Sequence, residues 1–393
     1  ARERLTAAVE VLQAAPDADA VLALEQLATL EVFAGSPDAG RLSAEALFLG
    51  QDLDVRPGLL SSLLLMRGIY VSIGQRRPQA MAYFREAARL ATLDGDTSLL
   101  GRALVNLADT QAVTDPAAAA EAARTAAGHL RRTGARDILA VATMNLAEAL
   151  LQLGDWDAAG EVLTQLHTQL ADSQVLARVD SLACYRGWLV ALRGDTATAE
   201  TMLAGLRDVR VSEDPQDRSM VETAEAFTAA ARGESGQALR HTRAVLSHAP
   251  ALGISHEYQR WSWPLAARCA HDLGDRTATR ELLAMIDSHP PGHLAPMLRA
   301  ERDLVRVRLA ASDGDDADPA AFAAAITGLR EHSTPYHLAH GLLDQAGYLI
   351  GRGDDSAAAA AVTEARDIGQ RLRCQPLLDR AAAMTPEEPR ISA

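Results

Sequence analysis

Residues Leu150–Leu163 read LLQLGDWDAAGEVL, an apolar run broken by Gly-Asp, then a tryptophan ahead of paired alanines. Upstream, Val141, Met144, Leu146, Ala147, Leu150 and Leu151 recur at helical spacing. Gly154 can take the left-handed conformation that ends a helix, and Asp155 is a good N-cap for the next. Asp157 in the new first turn suits the positive end of the helix dipole. Ala159, Leu163, Leu166 and Leu170 then form one stripe, with Ala159 small where two helices cross and Trp156 placed to cover the hairpin's end. The stretch therefore predicts helix, tight turn, helix.

The same grammar returns about every 40 residues. It predicts turns at Gly35 (Ser36 as cap, Pro37 opening the helix) and at IGQRRPQAMAYF, followed by a stripe of Ala80, Phe84 and Ala87. Further turns fall at Asp115-Pro116, Gly194, Gly233, Gly274, Asp318-Pro319 and Gly353. About nine hairpins result. One such hairpin cannot bury its apolar face alone, so the units must stack.

Composition agrees with an all-α chain. Of 393 residues, 48% are hydrophobic but only 4% aromatic, so Leu, Val and Ala must fill the core. All 38 basic residues are arginine, which removes a phosphate-loop lysine, a Schiff-base lysine and a Ser-x-x-Lys dyad. The net charge of −14 opposes phosphate contact, so direct nucleic-acid binding is not expected. Cys184, Cys269 and Cys374 lie far apart and read as buried or indifferent thiols in a reducing compartment. With neither a membrane span nor a signal-peptide pattern, a cytoplasmic protein is expected.

The repeat resembles the tetratricopeptide repeat over nearly the whole chain. Gly68 and Gly187 fall where that repeat prefers a small residue, Trp263 where it prefers tryptophan, and Pro250 and Pro291 where a proline closes the unit. The period is nearer 40 than the family's usual 34, and many aromatic positions have become Leu or Ala. Longer repeats of this kind look like those ending large bacterial signalling proteins, namely ATP-dependent LuxR-type transcription regulators and ATPase-linked nucleotidyl cyclases. The run from Thr334 to Ala381 is similar to the way such proteins end. The resemblance implies an α-α superhelix over residues 1–383, with 384–393 as a flexible tail, and first helices lining a concave groove. The opening Ala fits a piece of a larger protein.

On that groove the resemblance places Asn106 and Asn145 at equivalent positions, where a peptide backbone would meet a side chain both donating and accepting. Tyr185, Arg186, Trp188 and Phe227 follow, then Trp261, Arg268 and His271, with Pro264 expected in a first helical turn that leaves Trp261 partly in a loop. Aromatics with one wet edge suit partner recognition. His332, His337 and His340 read as surface histidines without a third metal ligand, and SDGDDADP (Ser312–Pro319) lacks the ligand alternation of a calcium loop. No catalytic, cofactor or metal residue emerges. The expected function is non-catalytic capture of a protein or peptide segment, or of an adjoining effector domain, within a regulatory protein. The alternative is a sensor of a small-molecule inducer; an enzyme on an α/α array would need acids converging from distant repeats.

Overall fold

The computed structural model describes residues 2–12, 14–171, 176–313 and 318–384, and among these every regular element is helical. The chain is an all-α, tetratricopeptide-like helical repeat. It divides into two units, Ala1–Ala149 and Leu150–Ala393.

Unit 1 opens with the short helix Arg2–Leu12, followed by three hairpins: Ala18–Phe33 with Ala39–Asp52, Pro57–Ile73 with Arg77–Asp94, and Thr97–Ala112 with Pro116–Thr133. Its core is built from small residues set against large ones. Ala80, Phe84 and Ala87 are fully buried, as their spacing predicts. Gly68 is small for a reason: a Cβ there would lie 2.5 Å from the Phe84 ring. Gly187, at the matching place in unit 2, has more room, since its Cβ would meet Leu203 at 3.3 Å. The first turn departs from expectation. Ser36 accepts from the Asp38 N–H (3.3 Å), but the helix begins only at Ala39, so Pro37 stands in a turn.

The turn that opened the sequence reading is built as expected. Gly154 has φ +78°, a conformation that costs a residue with a Cβ but not glycine. Asp155 accepts from the Ala158 N–H (3.4 Å). The same aspartate cap follows the turns at Gly194, Gly274 and Gly353, where Asp195, Asp275 and Asp354 each receive the N–H three residues on. Trp156 is buried at the head of its helix and donates through Nε1 to the Leu151 carbonyl (3.1 Å).

Unit 2 runs through Trp156–Ala171 and five hairpins to a last helix, Gln375–Ala383. That helix packs against Leu176–Arg193, near the start of the unit. There the Cys374 thiol donates to the Leu192 carbonyl (3.0 Å), across 182 positions of sequence. Beside it, Asp157 takes Arg193 on one oxygen (2.5 Å) and Arg373 on the other (2.8 Å). The first helices of unit 2 therefore face one another across a filled interior instead of an open channel. Trp156 stands 5.8 Å from Tyr336, Tyr336 6.3 Å from Phe227, Phe227 5.7 Å from Trp188, and Trp188 5.0 Å edge-on to Trp261.

Two helices of this interior are buried almost all round, the pattern of a core helix, not of a surface one. In Glu257–Asp272 every residue from Tyr258 to Ala270 is buried. Pro264 sits in the middle of that helix, not in its first turn, so Trp261 is fully helical and fully buried. The proline removes the N–H that would bond the Arg260 carbonyl. In Pro335–Gly351 the run from Tyr336 to Leu343 is buried, and His337 and His340 with it. Expected on the surface, both histidines are core residues; only His332 is exposed. The three cysteines are free and buried, and burial pushes the Cys269 thiol up to about 11 and that of Cys374 up to about 12. Such thiols stay protonated and unreactive. Among the described residues, no helix is long and apolar enough to cross a membrane. Of the acidic stretch Ser312–Pro319 and the expected tail 384–393, residues 314–317 and 385–393 lie outside the described residues.

Candidate functional site

Eight of the nine residues assigned to the groove fall into three groups, and Arg186 stands apart. In unit 1, Asn106 is half-buried and donates its amide to the Arg102 carbonyl of its own helix (2.9 Å). Asn145, also half-buried, lies on the helix Arg136–Leu153 and donates to the Val105 carbonyl (3.2 Å), so tying that helix to Thr97–Ala112, the first helix before it. The two amides therefore do different work.

Tyr185, Trp188, Phe227 and Trp261 come together in the interior of unit 2, where each ring is 4% exposed or less. Tyr185 donates its hydroxyl to Glu257 (2.7 Å), whose carboxyl burial pushes up despite that bond. The indole N–H groups of Trp188 and Trp261 have no acceptor among the described residues. Arg186 lies elsewhere, half-buried, on an opening of about 660 Å³ shared with Asp157, Arg193 and Arg373.

Arg268 and His271 lead to a cluster of buried charges. Around them sit the ends of first helices Glu257–Asp272, Pro296–Asp313 and Pro335–Gly351, together with the last helix. Asp344 is central. Its side chain is 4% exposed, and it takes Arg380 Nη2 at 2.5 Å and Arg308 Nη1 at 2.9 Å, the second an ion pair whose angle misses that of a hydrogen bond. Burial alone would push this carboxyl up; Arg308 and Arg380 outweigh it and hold it below the ordinary range. Arg308 is itself nearly buried, and its Nη2 has no partner among the described residues. Arg380 also meets His340 Nδ1 (2.9 Å). Arg268 lies over the Tyr336 ring, 5.6 Å from its centroid. Burial first, then Arg268, pushes His337 and His340 far below the usual histidine range, so both are neutral at pH 7.

These groups line two openings that share Arg380. One, about 500 Å³, is bounded by His271, Arg308, Asp344, Tyr348, Arg352 and Arg380. The other, about 150 Å³, is bounded by Phe227, Arg268, Asp272, Tyr336, His340 and Arg380. The larger thus sets three guanidinium groups against a single carboxylate, with Tyr348 stacked on Phe322 at 5.0 Å as an apolar wall. His271 is exposed at its edge, and desolvation followed by Arg308 lowers its pKa. The repeat pattern points to Arg268 and His271 but not to Arg308, Asp344 and Arg380. A usable signal was present: Asp344 is the one acid in the helix PYHLAHGLLDQAGYLIG, among mostly apolar residues. A buried charge of that kind needs a partner.

Glu301, 4% exposed, completes the cluster and accepts from the Ser333 hydroxyl (3.1 Å). Burial pushes its carboxyl up to about 7, with Arg268 and Ser333 pulling the other way. The folded state therefore favours the protonated acid. That contribution is complete below the ordinary value of 4.5 and is lost as pH rises through about 7. Glu301→Gln is expected to leave stability unchanged near pH 4 and to raise it by on the order of 3 kcal/mol above pH 8. Urea melts of both proteins across that range would show it; parallel pH profiles would contradict it.

No protein-family profile matches the chain, and no curated protein matches its sequence. Among solved structures it is similar to a Rap protein complexed with Competence and Sporulation Factor, with a TM-score of 0.64, 11% identity, and coverage of 90% of this chain and 99% of that one. The apo form of the quorum sensor NprR from B. thuringiensis matches more loosely, at a TM-score of 0.43 and 12% identity over 91% and 90% of the two chains. At these identities the first likeness is one of fold, that of a tetratricopeptide-like helical repeat.

Proposed function

We propose that the chain is a non-catalytic scaffold that captures a peptide or protein segment, and that the arginine-lined opening of unit 2 anchors an acidic group of that segment. The observation that carries this reading is the nearly buried Arg308, whose Nη2 has no partner among the described residues, on an opening that Arg352 and Arg380 also line and that holds the single carboxylate of Asp344. A buried guanidinium with an unmet N–H gains a charge-assisted hydrogen bond from an incoming carboxylate or phosphate. The aromatic wall of Tyr348 and Phe322 offers apolar contact beside it. Capture of Competence and Sporulation Factor by the Rap protein supports partner uptake on a similar fold. In the setting that the sequence resemblance implies, the regulatory region of a larger cytoplasmic bacterial signalling or transcription-regulatory protein, such capture would bias an attached effector.

The size of the opening favours a second reading, a small acidic inducer, because about 500 Å³ lies in the range of small-molecule sites. One variant tests the acidic anchor in both. Arg352 is exposed, so Arg352→Ala leaves the core alone. A displayed random-peptide library should enrich acidic sequences, and the variant should bind them at least about tenfold more weakly. Enrichment of acidic metabolites by thermal shift, with no peptide enriched, would favour the second reading. Binders indifferent to Arg352→Ala would overturn the acidic anchor.

A further inference from the structure

A different cluster, independent of partner capture, lies in the hairpin formed by Pro215–Ala231 and Ser235–Leu246. Glu222 and Glu225 stand one turn apart on the first helix, and His241 faces them from the second. His241 Nδ1 is 2.7 Å from a Glu222 oxygen and 3.5 Å from Glu225 Oε2. One ligand atom from each residue fits within 4.8 Å of the other two. The arrangement is held from behind. Arg210 places Nε (3.0 Å) and Nη2 (2.5 Å) on Glu225 Oε1, and Nη2 also donates to the Leu203 carbonyl (3.0 Å). That fixes the carboxylate with its other oxygen toward the imidazole, the outer-shell support that metal ligands need. Beside two of the three, Glu225 and His241, is a cavity of about 200 Å³ that they line together with Arg210.

We propose that Glu222, Glu225 and His241 form a site for a divalent transition-metal ion, with Zn²⁺ the best fit to one imidazole and two carboxylates. Three protein ligands leave a fourth position for water, and the cavity supplies its space. Ligand bonds of about 2.1 Å place donors roughly 3.4 Å apart in a tetrahedral site. The His241–Glu225 separation already matches, and His241 and Glu222 need part by only about 0.7 Å. The ion takes the lone pair of Nδ1, and the proton shared between that nitrogen and Glu222 is released to solvent. Two carboxylates then balance the two charges of the ion, while Arg210 keeps its hold on Glu225. The three side chains are 20–30% exposed, so the ion can enter without opening the core.

The test is calorimetric titration of the full chain with Zn²⁺ in a non-chelating buffer, paired with Co²⁺ absorption. One ion per chain is expected, with a visible Co²⁺ band typical of four-coordination. His241→Ala and Glu222→Gln should each weaken binding by more than tenfold, and Arg210→Ala by about tenfold through the support it removes. Circular dichroism on each variant checks that the helices persist. Absence of saturable Zn²⁺ binding by the folded chain would overturn the proposal, and so would affinity unchanged in His241→Ala and Glu222→Gln.

Discussion

Asp344→Ala is expected to destabilise unit 2 by about 3–5 kcal/mol, because it leaves Arg308 buried with its charge uncompensated and strips Arg380 of its closest anion. For a unit of this size that corresponds to a fall of roughly 10 °C in the unfolding midpoint. The cost does not measure a favourable ion pair. It measures the penalty of an unmatched buried charge, so removing both partners should be far milder. Arg308→Met with Asp344→Leu, apolar and close in volume, is expected to recover most of the loss. Thermal and urea unfolding of the two variants separates the ideas: equal destabilisation by single and double replacement would mean that Asp344 matters through packing alone. Arg380 is more exposed, so Arg380→Ala should cost less than Asp344→Ala.

Trp261→Ala is the second large effect, expected at about 3–5 kcal/mol. Trp261 is fully buried and packs against Trp188 at 5.0 Å, His337 at 4.9 Å and Tyr336 at 6.2 Å. A ring in that position supports the interior from the middle. A ring used mainly as a partner anchor would leave the stability of the free chain nearly unchanged when truncated, and such a result in urea melts would contradict the core assignment. Trp261→Phe should be much milder, since it keeps most of the contact area and removes an indole N–H that has no acceptor among the described residues.

The hairpins were legible because their determinants are local. A glycine that accepts positive φ, an aspartate cap and a stripe at helical spacing all lie within one turn of the junction they create. Two prolines misled: at Ser36-Pro37 the cap bonds its neighbour and the helix waits two residues longer, and Pro264 stands inside a helix that starts at Glu257. How the stack closes was not legible, because closure follows from small rotations summed over many repeats and no single residue states it. Trp188, Phe227 and Trp261 therefore read as wet-edged aromatics, while the structure gathers them inside unit 2. The histidines show the same gap. His337 and His340 lie one turn apart in the run from Tyr336 to Leu343, which is buried throughout, whereas His332 ends its own helix exposed. Arg308, Asp344 and Arg380 come from three separate helices and meet only after the chain has folded.

The thiol of Cys374 on the Leu192 carbonyl has a bearing on how unit 2 is made. Simple linear arrays tolerate shortening from an end, since each repeat leans only on its neighbour. Here the residue that caps the final described helix bonds one laid down 182 positions earlier, so the ribosome must deliver nearly the whole unit before its aromatic interior can be sealed. A nascent chain halted before Gln375 would hold its indoles under an unfinished seam, and its partial forms would be work for chaperones.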